Sequence, residues 1–72
     1  MENIAIDVSE LEAPEPMRII LNALATLTKA QRLVVTHRKE PLPLYPKIIE
    51  LGFTYEVAKN NELFTITIAH QA

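Results

Sequence analysis

All five prolines of the chain fall in two short stretches, Pro14 with Pro16 and Pro41 with Pro43 and Pro46. Proline lacks the N–H that a helix interior or a central strand must donate, and its ring fixes φ, but neither property matters in the first turn of a helix. Each cluster therefore reads as the start of a helix, and the apolar segment before it as a strand. Ile4, Ile6 and Val8 alternate with Ala5 and Asp7, which predicts a half-buried strand over about residues 3 to 8. After the first cluster, Met17, Ile20, Leu21, Leu24 and Leu27 recur at helical spacing, with Arg18 and Asn22 on the other side. This stripe is core, on a first helix that ends near Thr28.

Residues Arg32 to His37 are rich in β-branched side chains and form a second strand, with Leu33, Val35 and His37 in phase. The second proline cluster opens a short helix from about Pro43 to Leu51. Gly52, the only glycine, falls where a helix takes a left-handed residue just past its end. Phe53, Tyr55 and Val57 alternate with Thr54 and Glu56. After Asn60-Asn61 the alternation resumes as Phe64, Ile66 and Ile68 against Thr65 and Thr67, a hairpin. The order is βαβαββ. One sheet face belongs on the helices, and the other, carrying Asp7, Thr36, Thr54, Glu56, Thr65 and Thr67, belongs in water. Such a polar face argues against a dry sheet-to-sheet dimer and for a monomer.

With 72 residues the chain is expected to hold one domain, spanning 1–72, of marginal stability. It contains no cysteine, so disulfides, thiolate metal sites and thiol nucleophiles are all excluded. Hydrophobic residues make up 49% and there is no repetitive stretch, which argues against disorder. The opening residues have neither a basic n-region nor an apolar run of spanning length, so the expected location is the cytoplasm, with no membrane partner. A net charge of −2 removes the general phosphate attraction of nucleic-acid binders. The charge is unevenly placed. Glu2, Asp7, Glu10, Glu12 and Glu15 precede the first basic residue, Arg18, whereas Arg38 and Lys39 stand together in mid-chain.

Both proline-rich connections leave the carboxyl ends of strands, the edge of an open α/β sheet where helix N-termini and their unpaired N–H groups converge on ligands. His37 ends the second strand in phase with its buried residues. It is a candidate acid, base, ligand or anion binder there; the commoner role is a strand-end histidine hydrogen-bonded to a loop. Arg38 and Lys39 suit a carboxylate, phosphate or sulfur oxyanion, but Glu10, Glu12, Glu15 and Glu40 oppose one. If Glu12 and Glu15 pair with these cations, the cluster is an ionic latch of about 1 kcal/mol or less per pair. Glu15 also suits the positive end of the first helix. Tyr45, in the first turn of the second helix, is expected to lay its ring on Pro41 or Pro43 with its hydroxyl toward the cleft, or to be structural. Leu11 and Leu42 are candidates for an exposed apolar patch. His70 ends the last strand, at the opposite end of the sheet from His37 if that strand is antiparallel to the second, so no metal site and no cofactor are expected. No Ser-His-Asp, paired-carboxylate or Gly-rich phosphate-loop arrangement can be assembled.

Residues Asp7 to Pro16, Asp-Val-Ser-Glu-Leu-Glu-Ala-Pro-Glu-Pro, resemble the TusA/SirA sulfur-carrier signature, in which an aspartate-bearing strand leads to Gly-Leu-x-Cys-Pro-x-Pro. With register set by the prolines, that family's cysteine falls on Ala13 and its glycine on Glu10. Residues 37 to 46 with Gly52-Phe53 look more like an uncharacterised TusA-like family of unknown function, in which Glu-Pro-x-Pro-Leu-Tyr-Pro and Gly-Phe recur. The resemblance implies an α+β two-layer sandwich with a mixed four-stranded sheet of order 1-2-4-3 and two helices on one face. It also implies relatives that occur alone or joined to hemerythrin-like and other redox-associated domains.

The expected function is a non-catalytic module, associated with redox or sulfur metabolism, that holds a small anion or a protein partner along residues 10 to 16 and 37 to 46. Its candidate site comprises Ala13, Pro14, Glu15, Pro16, His37, Arg38, Lys39, Glu40 and Tyr45. The rival readings are a sulfur-relay docking accessory without thiol chemistry, an RNA binder like the βαβαββ domain of a translation initiation factor, and a cysteine-free enzyme with His37 as base.

Overall fold

A computed structural model describes residues 1–71, in the order β1 (Glu2–Asp7), α1 (Glu15–Thr26), β2 (Gln31–His37), α2 (Leu44–Glu50), β3 (Phe53–Asn60) and β4 (Leu63–His70). The strands form one mixed sheet in the order β1-β2-β4-β3. β1 runs parallel to β2, while β4 is antiparallel to both β2 and β3. The register puts Ile6, Val35, Ile66 and Val57 in one row across the sheet. Because side chains alternate along a strand, this register collects Leu33, Val35, Ile66 and Ile68 on a single face. Ile20 and Leu24 of α1 and Leu44 and Ile48 of α2 close over that face in one core. Each fully buried side chain of this kind contributes about 1.5–3 kcal/mol. On the opposite face Asp7, Thr54 and Glu56 are exposed and Thr36, Thr65 and Thr67 half-buried, with Thr36 beside Thr65 and Glu56 beside Thr67. Among the described residues no helix is long and apolar enough to cross a membrane.

Four local details bear on the expected boundaries. α1 stops at Thr26, before Thr28, because Leu27 turns to extended backbone (φ −71°, ψ 125°) while its side chain stays in the core. Its apolar spacing is helical although its dihedrals are not. Pro43 caps α2 from outside, so that helix begins at Leu44 and ends at Glu50. Past Leu51, Gly52 has φ +91° and donates its N–H to the Ile49 carbonyl at 3.0 Å, the expected helix stop. The hairpin turns on Asn61-Glu62, with Asn61 at φ 59°, a conformation asparagine tolerates better than most side chains.

Candidate functional site

The parallel pairing of β1 with β2 ends at Asp7 beside Thr36, so the two proline-rich connections leave the sheet side by side. The first is held by Asp7, whose Oδ1 accepts from the Ser9 N–H at 2.9 Å and the Ser9 hydroxyl at 2.6 Å. These bonds favour the ionised carboxyl and hold it below the usual carboxylate range, the hydroxyl contributing most. Leu11 N–H bonds to the Val8 carbonyl, and the chain reaches α1 through a cis Ala13–Pro14 peptide. The second connection starts with a tight turn in which the Lys39 N–H donates to His37 Nδ1 at 3.1 Å.

Between these loops lies a cleft of about 490 Å³, within the ~300–1,000 Å³ of small-molecule sites. One wall runs from Leu11 to Pro14 and on through Pro16, Met17 and Ile20 of α1. The other is His37 to Pro41 with Pro43 and Leu44. Pro16, Ile20 and Leu44 are buried, so the floor is apolar, whereas Glu12, Arg38 and Lys39 at the rim are exposed. Of the candidate residues, Ala13, Pro14, Pro16, His37, Arg38, Lys39 and Glu40 come together here.

His37 keeps its imidazole neutral: burial first, then the neighbouring Arg38 and Lys39 charges, pushes its pKa below the ordinary value. Because Nδ1 accepts a backbone hydrogen bond, the neutral ring carries its proton on Nε2. Stability from this arrangement is full above the unfolded value of about 6.5 and is lost as pH falls through the lower folded value. The sheet separates the two histidines. His37 sits opposite Phe64, and His70 sits opposite Phe53, against which its ring tilts at 4.5 Å while Nε2 meets the Leu27 carbonyl at 2.6 Å. Among the described residues no group of histidines and carboxylates is placed to hold a metal ion.

Three expectations about the site require correction. The helix starts do not present a row of free donors. Glu15 and Arg18 N–H groups bond to Glu12 and Pro14 carbonyls, and those of Leu44 and Tyr45 bond to Pro41 and Leu42 carbonyls. Pro16 and Pro46 have no N–H at all. The positive charge available to an anion at this edge is therefore that of the Arg38 and Lys39 side chains. The ionic latch is also not formed. Glu15 pairs instead with Arg18 three residues along α1, the natural partner on a helix surface, and no ion pair among the described residues involves Arg38 or Lys39. That pairing takes Glu15 out of the cleft and holds its carboxyl below the usual range.

The third correction concerns Tyr45, which lies outside the cleft. Its ring stacks on Tyr55 of β3, centroids 4.4 Å apart and planes within 6°, and its hydroxyl donates to Glu40 Oε2 at 3.1 Å. Burial first, then the Glu40 carboxylate, raises the Tyr45 hydroxyl to about 12. Its folded value lies above the unfolded value of about 10, so its contribution is present below pH 10 and lost as pH rises toward 12. Tyr45→Phe should be less stable than the natural protein at pH 8, by about 1 kcal/mol or less because Glu40 is exposed. Urea unfolding should show that gap closing between pH 10 and 12; a constant gap would mean that the hydrogen bond contributes nothing.

Met17, Ile20 and Leu44 line the cleft although their spacing marks only core. Their nearness to Pro16 and Pro43 was the one available signal. No curated protein and no solved structure matches the chain. The family described as "Uncharacterized conserved protein (DUF2249)" matches residues 5–70, nearly the whole of the fold that carries the cleft, and the protein belongs to that family.

Proposed function

We propose that the protein is a non-catalytic binding module whose cleft, between the two proline-stiffened loops, holds a small anion or docks a partner protein. The observation that carries this reading is a cleft of small-molecule dimensions whose apolar floor adjoins two cations, Arg38 and Lys39, that form no ion pair among the described residues. His37 supports it with a neutral ring whose Nε2–H is available as a donor. Ala13 lines the cleft at the position where the TusA/SirA resemblance expects a thiol. The proposed role is therefore docking or ligand holding in redox or sulfur metabolism, with no sulfur carried on the chain itself. We take the module to act in the cytoplasm as a monomer. Docking of a protein partner is favoured by Leu11, 37% exposed beside the cleft wall, and Leu42, 61% exposed on the second loop.

The test is an amide NMR titration with phosphate and with thiosulfate. The expected result is saturable shifts at Ala13, His37, Arg38 and Lys39. Affinity should fall about tenfold or more, ~1.4 kcal/mol, in an Arg38→Ala/Lys39→Ala variant. Absence of saturable shifts with either anion, or undiminished shifts in the double variant, would defeat the anion reading.

A further inference from the structure

The two rims of the cleft carry opposite charge. On the α1 side Glu12 lines the cleft, with Glu10 exposed two residues earlier. On the α2 side stand Arg38 and Lys39. Glu15 is paired with Arg18, whereas Glu40 lines the α2 rim beside Arg38 and Lys39 and keeps its negative charge while its Oε2 accepts from the Tyr45 hydroxyl, so that rim is positive only by the excess of two cations over one carboxylate. No ion pair among the described residues crosses from one rim to the other, so both charges face solvent across an apolar floor of Pro16, Ile20 and Leu44. A simple anion gains at Arg38 and Lys39 but is repelled by Glu12 and Glu40, and a simple cation gains at Glu12 but is repelled by Arg38 and Lys39. A ligand bearing both charges gains at both rims. It also brings apolar surface to the floor, and charge matching of this kind selects among ligands more than it raises affinity.

We infer that the cleft takes a zwitterionic ligand with an apolar body, the chemistry of an apolar amino acid or short peptide. Its carboxylate lies at Arg38 and Lys39, where the His37 Nε2–H adds a donor, and its ammonium lies at Glu12. This rests on the reading of the cleft as a binding site and adds the class of ligand.

The test compares three probes by calorimetry and amide NMR: leucyl-leucine, N-acetyl-leucyl-leucine, which keeps only the carboxylate, and leucyl-leucinamide, which keeps only the ammonium. Leucyl-leucine should bind about tenfold more tightly than either blocked form, shifting Ala13, Ile20 and His37. Glu12→Gln should abolish its advantage over the acetylated peptide while keeping that over the amide. Arg38→Ala/Lys39→Ala should do the opposite. Glu12, Arg38 and Lys39 are exposed, so the variants should fold, and dispersed amide spectra will show that they do. Equal affinity for the three probes, tighter binding of a blocked form, or an advantage that survives both variants overturns the inference. If no peptide binds while phosphate does, the ligand class is wrong and the cleft remains a binding site. If neither phosphate, thiosulfate nor any peptide binds, this inference and the anion reading of the cleft both fail.

Discussion

Truncation of Leu44 to alanine is expected to remove about 2–5 kcal/mol of stability, the range for deleting a fully buried leucine side chain and leaving a cavity. Leu44 is 0% exposed, opens α2, and sits in the core with Ile20, Ile48 and the inward residues of β2 and β4. At about 0.05–0.15 kcal/mol per residue, a chain of 72 residues has a total stability of only about 4–11 kcal/mol. One substitution would therefore remove a large part of it, and partial unfolding at 37 °C is expected. The same side chain forms part of the cleft floor, so ligand affinity should fall in parallel with stability. Leu42→Ala, two residues earlier but 61% exposed, is the control, with an expected change within about 0.5 kcal/mol. Urea unfolding of both variants decides the matter. Similar midpoints for the two would show that α2 does not dock through Leu44.

How much of this fold is legible in the sequence depends on what kind of signal each feature leaves. The prolines and Gly52 act through backbone dihedrals, so their positions alone locate the helix starts and the end of α2. Alternation locates the strands and assigns Ile66 and Ile68 to the inner face. Alternation is silent about neighbours, and the insertion of β4 between β2 and β3 follows from the family resemblance, not from residue spacing. Leu27 shows a different limit, since apolar spacing reports where a side chain points and not whether its backbone is still helical.

The candidate site divides in the same way. Side-by-side exit of the two loops follows from the parallel pairing of β1 with β2, and the sequence brings Ala13 and residues 37 to 40 together on that basis. Tyr45 was legible as a first-turn residue. Its partner Tyr55, ten residues later on a neighbouring strand, was not, because the choice between a proline ring and another aromatic is made by tertiary packing. The Glu15–Arg18 pair was readable from its i,i+3 spacing. The loss of the helix-start donors was not, because it depends on turns closed by Glu12, Pro41 and Leu42 carbonyls.

Replacement of Gly52 should separate backbone strain from crowding. Its φ of +91° lies in the left-handed region that L side chains rarely adopt, yet a Cβ at this position would meet no heavy atom within 4 Å. Any loss of stability on substitution must therefore come from the dihedrals. Gly52→Val should cost about 1–3 kcal/mol, Gly52→Ala less, and Gly52→Asn least, because asparagine tolerates positive φ. Relaxation to negative φ is resisted from both sides: the Gly52 N–H bonds to the Ile49 carbonyl and the Gly52 carbonyl accepts from Gln71 N–H, each at 3.0 Å. The residue thus ties the end of α2 to the chain just after β4 and fixes the angle at which α2 returns along β3. That angle sets the Tyr45–Tyr55 stack and, one residue away, the position of Leu44 at the cleft. In Gly52→Val the stack should loosen, lowering the Tyr45 hydroxyl from about 12 toward its unperturbed value, measurable by ultraviolet titration of tyrosinate. A stable Gly52→Val protein with an unchanged tyrosine titration would show that α2 is aimed by its core contacts alone and that glycine is not required here.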